Sequence, residues 1–164
     1  MLTITDDSKT VSPAEVARII DATSLANVRV DEVRAGPVKA TPDSITAGIV
    51  HKEISFGPLP DVNMLLVRVE HTLSCRTQGE TEIVSITAAH IAAFRVIEDL
   101  DTTRGAVSAW IDANVYFQLY PYVRQFFTEM TTMLGLPPVT LDYLHRDLRS
   151  PTDAEASQPT GAIS

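Results

Sequence analysis

The chain has 164 residues, and its 21 acidic residues outnumber its 13 Lys and Arg residues, giving a formal net charge of −8. Its length and its 45% hydrophobic content predict one globular domain with a substantial core. The charge excludes a typical nucleic-acid-binding protein, because that class needs clustered basic residues.

The expected location is the cytoplasm. The single cysteine, Cys75, excludes an internal disulfide and favours a reducing compartment. The N-terminus lacks the basic region and apolar run of a signal peptide. No apolar run reaches the ~20 residues of a membrane span, so no membrane insertion is expected.

The first structured element is predicted to be a helix that follows a flexible N-terminus, residues 1–11. Ser12 is a suitable N-cap, Pro13 fits the first helical position, and Glu15 can reach back to the Ser12 amide. The helix is expected to end at residues 23–24, where strand-like patterns begin.

The middle of the chain alternates apolar and polar residues, as half-buried strands do. In residues 28–33 the phase slips at Glu32, which predicts a β-bulge, and between residues 45 and 56 the apolar phase reverses. Residues 57–61 and 77–80 have the composition of turns. The clearest strand lies between these turns and places five apolar residues on one face: Leu65, Val67, Val69, Leu73 and Cys75.

Residues 81–98 fit two interpretations. Ile83, Ile86 and Phe94 suit a strand, whereas the alanine-rich run at residues 88–93 has helical propensity. The local sequence leaves both interpretations open.

The last third of the chain is predicted to be helical. A short helix around residues 106–113 precedes a longer amphipathic helix, which has Pro121 in its first turn and ends at Gly135. The longer helix carries an apolar stripe at helical spacing: Val123, Phe126, Phe127, Met130, Met133 and Leu134.

A final helix is predicted to begin at Thr140, which is a suitable N-cap. Residues 150–164 are rich in Ser, Thr, Pro and Ala and contain no basic residue, so they are predicted to be a disordered tail. The folded domain is therefore expected to span residues 12–149. The inward side chains of the final helix would be Leu141, Leu144 and Leu148.

No group of residues indicates catalysis or a bound metal. Cys75 lies on an apolar strand phase and is interpreted as a small buried hydrophobe, and Asp99 and Asp101 are interpreted as marking a solvated turn. The chain has no nucleophile elbow and no glycine-rich phosphate loop. We therefore predict no enzyme, no catalytic residue, no cofactor and no metal site. The four histidines are far apart in sequence and lack the spacing of a helical metal site, so they are interpreted as ordinary packing or surface residues: His51, His71, His90 and His145.

Aromatic residues concentrate just before and within the long helix. One layer of sheet and helix of this size cannot bury all of them, so some are expected at a subunit interface or in a groove. The predicted oligomer-interface residues are Tyr116, Phe117, Tyr120, Tyr122 and Phe126.

One stretch of the chain resembles the C-terminal half of SecB, the bacterial export chaperone. It begins with Leu-Tyr-Pro-Tyr-Val-Arg at residues 119–124, continues through an amphipathic helix, and ends with a Leu-Pro-Pro-Val-Thr-Leu loop at residues 136–141 and a second helix. The short loop and the helix ahead of the first strand are most similar to the SecB-like chaperones of toxin–antitoxin–chaperone systems, which hold an unstable antitoxin. The resemblance covers residues 26–148.

The resemblance implies an α+β fold, in which a four-stranded antiparallel sheet packs on two C-terminal helices, here with an extra N-terminal helix. It favours the strand interpretation of residues 81–98. It also implies a homotetramer, a dimer of dimers, that binds client polypeptides in apolar grooves between sheet and helices. The client-binding residues that it implies are Leu136, Val139, Leu141, Tyr143 and Leu144.

The function that the resemblance implies is an ATP-independent holdase for unfolded or extended polypeptide, dedicated to an unstable antitoxin. A general protein-export chaperone that delivers preproteins to SecA is the alternative, although the acidic tail does not match that role. A small enzyme of unknown chemistry and a structural oligomerisation subunit are alternatives of other classes.

Overall fold

The computed structural model describes residues 1–6 and 10–144 of the chain. The predicted tail, together with Leu148 and His145, lies outside the described residues. In chain order the elements are β1 (Leu2–Thr5), α1 (Pro13–Ala22), β2 (Thr23–Ala35), β3 (Thr46–Leu59), β4 (Met64–Arg76), β5 (Glu82–Val96), β6 (Leu100–Thr103), α2 (Arg104–Trp110) and α3 (Tyr116–Met133).

Four long strands form one antiparallel sheet in the order β2-β5-β4-β3, so β2 and β3 are its edges. Aromatic contacts fix which face the helices cover: Phe94 of β5 packs against Trp110 of α2, with ring centroids 4.8 Å apart. One face of the sheet therefore lies against α2 and α3, and the other is turned away from them. The predicted α+β fold with a four-stranded antiparallel sheet is confirmed.

Register shifts occur where the sequence predicted changes of phase. The β2–β5 register shifts between Val30 and Glu32, and the β3–β4 register shifts between Ile49 and His51. Because side chains alternate along a strand, one extra residue returns the following apolar residues to the same face. The alternation of β4 is also confirmed, since all five predicted apolar residues are buried.

Residues 82–96 form the strand β5, so the strand interpretation is confirmed. β5 pairs with β2 on one side and with β4 on the other. This double pairing outweighs the helical propensity of its alanines. Ala88 and Ala92 are buried on the helix-facing side, where small side chains let the helices approach closely.

The N-terminus contains a strand where the sequence predicted a flexible segment. Leu2–Thr5 forms β1 and pairs in parallel with β6, so Asp101 lies in a strand rather than in the predicted turn. The predicted helix α1 is confirmed with its capping box: the Ser12 N–H donates to Glu15 Oε2 at 2.7 Å, and the Glu15 N–H donates to Ser12 Oγ at 3.3 Å.

The predicted position of Pro121 is wrong. The helical path begins at Arg104 and passes through a π-helical turn at Ile111–Val115, so Pro121 lies inside α3 rather than in a first turn. Proline in a helix interior costs about 3 kcal/mol. The burial of Leu119 and Val123 on either side offsets this cost.

The long helix ends at Met133, and the predicted stop residue Gly135 follows its C-cap, Leu134. Gly135 has φ 74°, which glycine adopts without strain. Its N–H donates to the Thr132 carbonyl at 3.0 Å, and the Leu136 N–H donates to the Thr131 carbonyl at 2.9 Å. These two bonds form a Schellman motif, which satisfies the last carbonyls of the helix.

The final helix does not begin at Thr140. Residues 137–144 have no regular secondary structure. The carbonyls of Leu141 and Asp142, which would start a helical ladder, instead accept hydrogen bonds from side chains of α3. The second C-terminal helix is thus not present up to Leu144. Within the described residues, no helix combines the length and the apolar character of a membrane span.

Candidate functional site

The surface beside α3 differs between its two sides. On one side, residues 136–144, hereafter the strap, run antiparallel to the helix. On the other side, α3 and β2 border an open apolar depression, hereafter the β2 groove. The β2 groove is defined by its apolar and aromatic residues together with His90, and polar residues of both elements also border it: Val28, Val30, His90, Tyr122 and Phe126, with Arg29, Gln125 and Glu129.

The hydrogen bonds that hold the strap against α3 are made to the backbone of the strap. Thr128 Oγ1 donates to the Val139 carbonyl at 2.5 Å, and the Val139 N–H donates to Thr131 Oγ1 at 3.1 Å. Arg124 Nε donates to the Leu141 carbonyl at 2.7 Å, and the Tyr120 hydroxyl donates to the Asp142 carbonyl at 2.8 Å. Four residues of one helix face therefore bind the backbone of a segment without regular structure, and Arg124 also lies over the Tyr143 ring of that segment.

The predicted client-binding residues separate into two groups. Leu136, Val139 and Leu141 are 4–6% exposed, because their side chains close the core beside α3. Tyr143 is 73% exposed, and Leu144 is half-buried against the core. In this conformation, only the last two are accessible to a client.

Three aromatic rings at the β3 side and the strap each have a cation over one face. Each pair combines an apolar ring with a positive charge. The pairs are Arg104 over Phe56 at 4.8 Å, Lys52 over Tyr116 at 4.3 Å, and Arg124 over Tyr143 at 3.9 Å from the ring centroid.

The predicted interface aromatics also divide. Tyr120 is buried, and Tyr116 is half-buried with its hydroxyl 2.9 Å from His71 Nε2, so both serve the fold. Phe117 is half-buried. Only Tyr122, which is 50% exposed, and Phe126 line the β2 groove. A helix turns by about 100° per residue, so consecutive aromatics cannot all face one partner.

The sequence analysis missed the β2 groove. Leu25, Val30 and Val33 of β2 lie on the helix-facing side of the sheet and are 38%, 42% and 41% exposed, since no helix covers this edge. The groove contains a cavity of about 220 Å³ at His90, and a second of about 280 Å³ lies beside Leu25 and Trp110. The available signal was the apolar phase of β2, but the sequence does not show how far α3 extends across the sheet.

Two histidines are buried on the helix-facing side of the sheet. His71 and His90 are 0% and 2% exposed. Burial is the largest cause that lowers the pKa of His71 to about 4, and the nearby His90 and Lys52 lower it further. Burial alone lowers the pKa of His90 to about 4. Both are thus neutral at physiological pH, which agrees with the interpretation of these histidines as packing residues.

The outer face of the sheet carries an ion-pair network centred on Arg68. Arg68 pairs with Asp31 at 3.3 Å, with Glu32 at 3.2 Å and with Glu70 at 3.0 Å. Glu70 is also 3.6 Å from Arg34. The donor atoms of three residues on this face lie within 4.8 Å of one another: His51, Glu53 and Glu70. Since two arginines already contact Glu70, we interpret this group as part of the ion-pair network.

The arrangement of the sheet, the long helix and the N-terminal helix is that of the SecB-like chaperones. The solved structure of the Mycobacterium tuberculosis SecB-like chaperone Rv1957, in complex with a ChAD peptide from the Rv1956 HigA1 antitoxin, matches this fold with a TM-score of 0.73. The match covers 82% of this chain and 99% of that chain, at 23% sequence identity. At this identity the similarity concerns the fold.

Sequence similarity leads to the same relatives. The SecB-like chaperones Rv1957 of M. tuberculosis strain H37Rv and MT2006 of strain CDC 1551 are each 38% identical to this chain over 48 residues. The matched segment covers 29% of this chain and 26% of each relative, so the chain spans about a quarter of the length of these curated relatives. No protein-family model matches the chain. The predicted resemblance to SecB-like chaperones is confirmed.

Proposed function

We propose that the protein is an ATP-independent chaperone that holds unfolded or extended polypeptide, and that its client is an unstable antitoxin. The similar M. tuberculosis chaperone was solved with a peptide of an antitoxin, which supports this class of client. The proposed activity needs no catalytic residue and no nucleotide.

The observation that carries the proposal is the way in which α3 holds the strap. Tyr120, Arg124 and Thr128 bind carbonyl groups of an irregular segment. Backbone carbonyls are present in every polypeptide, so contacts of this kind do not depend on the side chains of the bound segment. A helix that binds its own irregular chain in this way is suited to hold another.

The proposed client path begins where the strap reaches solvent. Tyr143 and Leu144 are its accessible apolar residues, and the rings of Tyr116 and Phe56 continue it towards β3. Burial of client side chains here provides affinity in proportion to the apolar area removed from water, at about 25 cal/mol per Å² before ordering costs. Leu136, Val139 and Leu141 would join the path only if the strap moved aside.

We further propose a cytoplasmic homotetramer, a dimer of dimers, in which the β2 groove is covered by another copy of the chain. The exposed apolar side chains of an edge strand support assembly, because such edges otherwise promote aggregation. Delivery of preproteins to SecA, and hence a role in protein transport, is the alternative use of the same holding activity.

The holding activity is tested by aggregation of a chemically unfolded substrate, followed by light scattering. Near-stoichiometric protein is expected to suppress aggregation equally with and without ATP, and an antitoxin peptide, with the ChAD peptide of HigA1 as the probe, is expected to compete. Clear ATP hydrolysis linked to suppression, or no suppression of any substrate, would contradict the proposal. Suppression that the antitoxin peptide cannot relieve would favour the general export chaperone.

Substitutions at two exposed apolar positions, one on the proposed client path and one away from it, test where the client binds. Tyr143→Asp is expected to weaken client binding about tenfold, which corresponds to about 1.4 kcal/mol, because the new charge would have to be desolvated. Val62→Asp is the matched control, since Val62 is 59% exposed in the turn before β4. Equal client affinity of the two variants in titration calorimetry would place the path elsewhere.

A further inference from the structure

The outer face of the sheet, which is turned away from the helices, contains an apolar depression at one end. This depression, hereafter the outer depression, has a volume of about 250 Å³ and is bordered by all four strands. Leu59 is 43% exposed there, and the other apolar side chains are half-buried. The apolar residues that line the outer depression are Leu59, Met64, Leu66, Ile91 and Ala93.

The strand register places these apolar side chains beside one another. Ala93 of β5 lies opposite Leu66 of β4, and Leu59 at the end of β3 lies opposite Met64. Side chains alternate between the two faces of a sheet, so these residues are not the ones that meet the core. An antiparallel sheet needs apolar side chains only on its core face. A group of them on the other face therefore indicates a contact with another molecule.

The free charges beside the outer depression are positive. Arg29 lines the depression, and Arg95 lies at its border on the same face of the sheet. Both are exposed, and within the described residues neither guanidinium has an ion-pair or hydrogen-bond partner. None of the described residues that line the depression is acidic. Further along this face the carboxylates are already paired, since Glu32 and Glu70 contact Arg68.

The shape and the charge of this site favour an acidic peptide over two other occupants. A second copy is disfavoured, because a two-fold contact would bring the arginines of one copy against those of the other, and like charges repel. A lipid surface is entered by protruding apolar side chains, whereas the apolar residues here line a depression. A concave apolar site with guanidinium groups at its rim fits a large apolar side chain that is flanked by carboxylates.

We propose that the outer depression docks an acidic segment of another protein. A large apolar side chain of this segment enters the depression, and the neighbouring carboxylates pair with Arg29 and Arg95. The sheet separates this site from the strap and from Tyr143. The protein can therefore dock this partner while it holds a client, and the contact is separate from the proposed holding activity.

The test is fluorescence anisotropy of the full chain with a labelled synthetic peptide in which Leu and Asp alternate. The same peptide with Lys in place of every Asp is expected to bind more weakly. Arg95→Glu and Arg29→Glu are each expected to raise the dissociation constant of the acidic peptide about five- to tenfold and to reduce its dependence on salt. Arg95→Glu is the cleaner variant, because Arg29 also borders the β2 groove. Arg18→Glu makes the same change of charge at an exposed position of α1 and is expected to bind like the wild type.

A second pair of variants tests the apolar part of the site. Leu59→Asp is expected to raise the dissociation constant of the acidic peptide about tenfold or more, because the new charge would have to be desolvated. Val50→Asp is the matched control, since Val50 is 58% exposed in the other half of β3. Tyr143→Asp is expected to bind this peptide like the wild type, because Tyr143 belongs to the proposed client path.

Four results would overturn the proposal. The first is equal binding of the acidic and basic peptides, and the second is wild-type binding by Arg95→Glu and Leu59→Asp. The third is loss of peptide binding in Tyr143→Asp alone, which would place the peptide on the client path. The fourth is a different occupant: a lower mass of Leu59→Asp in sedimentation equilibrium would assign the surface to a second copy, and binding to phosphatidylglycerol vesicles without binding of the peptide would assign it to a membrane.

Discussion

At the scale of single residues, the chain contains two kinds of polar side chain that sequence patterns do not distinguish. His71 and His90 occupy apolar strand phases and are buried and neutral, whereas Thr128 and Thr131 on α3 bind the strap. The sequence analysis interpreted the four histidines as ordinary packing or surface residues, and His71 and His90 are of the packing kind. Thr128 lies outside the apolar stripe that the sequence predicts for this helix, and a pattern cannot show that another segment packs against it.

The two buried histidines predict an acid-sensitive fold. Their pKa values are lowered from the usual 6.5 to about 4, so between these pH values the unfolded chain binds protons that the folded chain does not. The free energy of unfolding is therefore expected to be fully maintained above pH 6.5 and to fall as the pH decreases towards 4. Each histidine contributes at most about 3 kcal/mol to this loss.

Urea unfolding at a series of pH values measures this effect. His90→Leu is expected to reduce the slope of unfolding free energy against pH between 4 and 6.5, because one of the two groups is removed. His51→Gln is the control variant, because the His51 side chain is 54% exposed, and it is expected to leave the slope unchanged. An unchanged slope in His90→Leu would show that other groups cause the acid sensitivity.

At the scale of elements, strands and helix ends were largely predictable, whereas the packing of segments on one another was not. The bulges of β2 and β3 and the Gly135 helix end follow from local chemistry, and each is present. The position of Pro121 and the start of a helix at Thr140 were wrong. In both cases tertiary contacts determine the local structure. Buried neighbours hold Pro121 within α3, and side chains of α3 donate hydrogen bonds to the strap carbonyls that a helix would need.

The strap is predicted to stabilise the fold, and Val139 tests this. Val139 is 6% exposed and its backbone accepts from Thr128 and donates to Thr131. Val139→Asp would bury an unpaired charge and is expected to lower the free energy of unfolding by about 3 kcal/mol or more. Tyr143→Asp, on the exposed end of the strap, is expected to stay within about 0.5 kcal/mol of the wild type. Equal thermal midpoints of the two variants would mean that the strap does not belong to the folded core.

At the scale of the whole molecule, the sequence predicted an oligomer, and the structure shows which of the predicted interface aromatics are already used within one chain. The aromatic excess around α3 motivated the expectation, yet Tyr116 and Tyr120 are used within the fold. Three exposed large apolar side chains lie together on one face of β2, which is an edge strand: Leu25, Val30 and Val33. Whether a strand at the edge of a sheet is covered depends on the reach of a helix distant in sequence, and local patterns do not encode that reach.

The assembly predicts a mass of about four times the 17.9 kDa of one chain, measured by light scattering at micromolar concentration. Val30→Asp is expected to lower this mass, because Val30 is 42% exposed on the helix-facing side of β2 and its replacement would bring unpaired charges into the contact between copies. The same substitution is tolerated in the single chain, since the side chain already contacts water there. Val62→Asp, at a similarly exposed position outside the β2 groove, is expected to keep the wild-type mass. A stable wild-type monomer would refute the assembly, and a full-mass Val30→Asp would place the contact between copies on another surface.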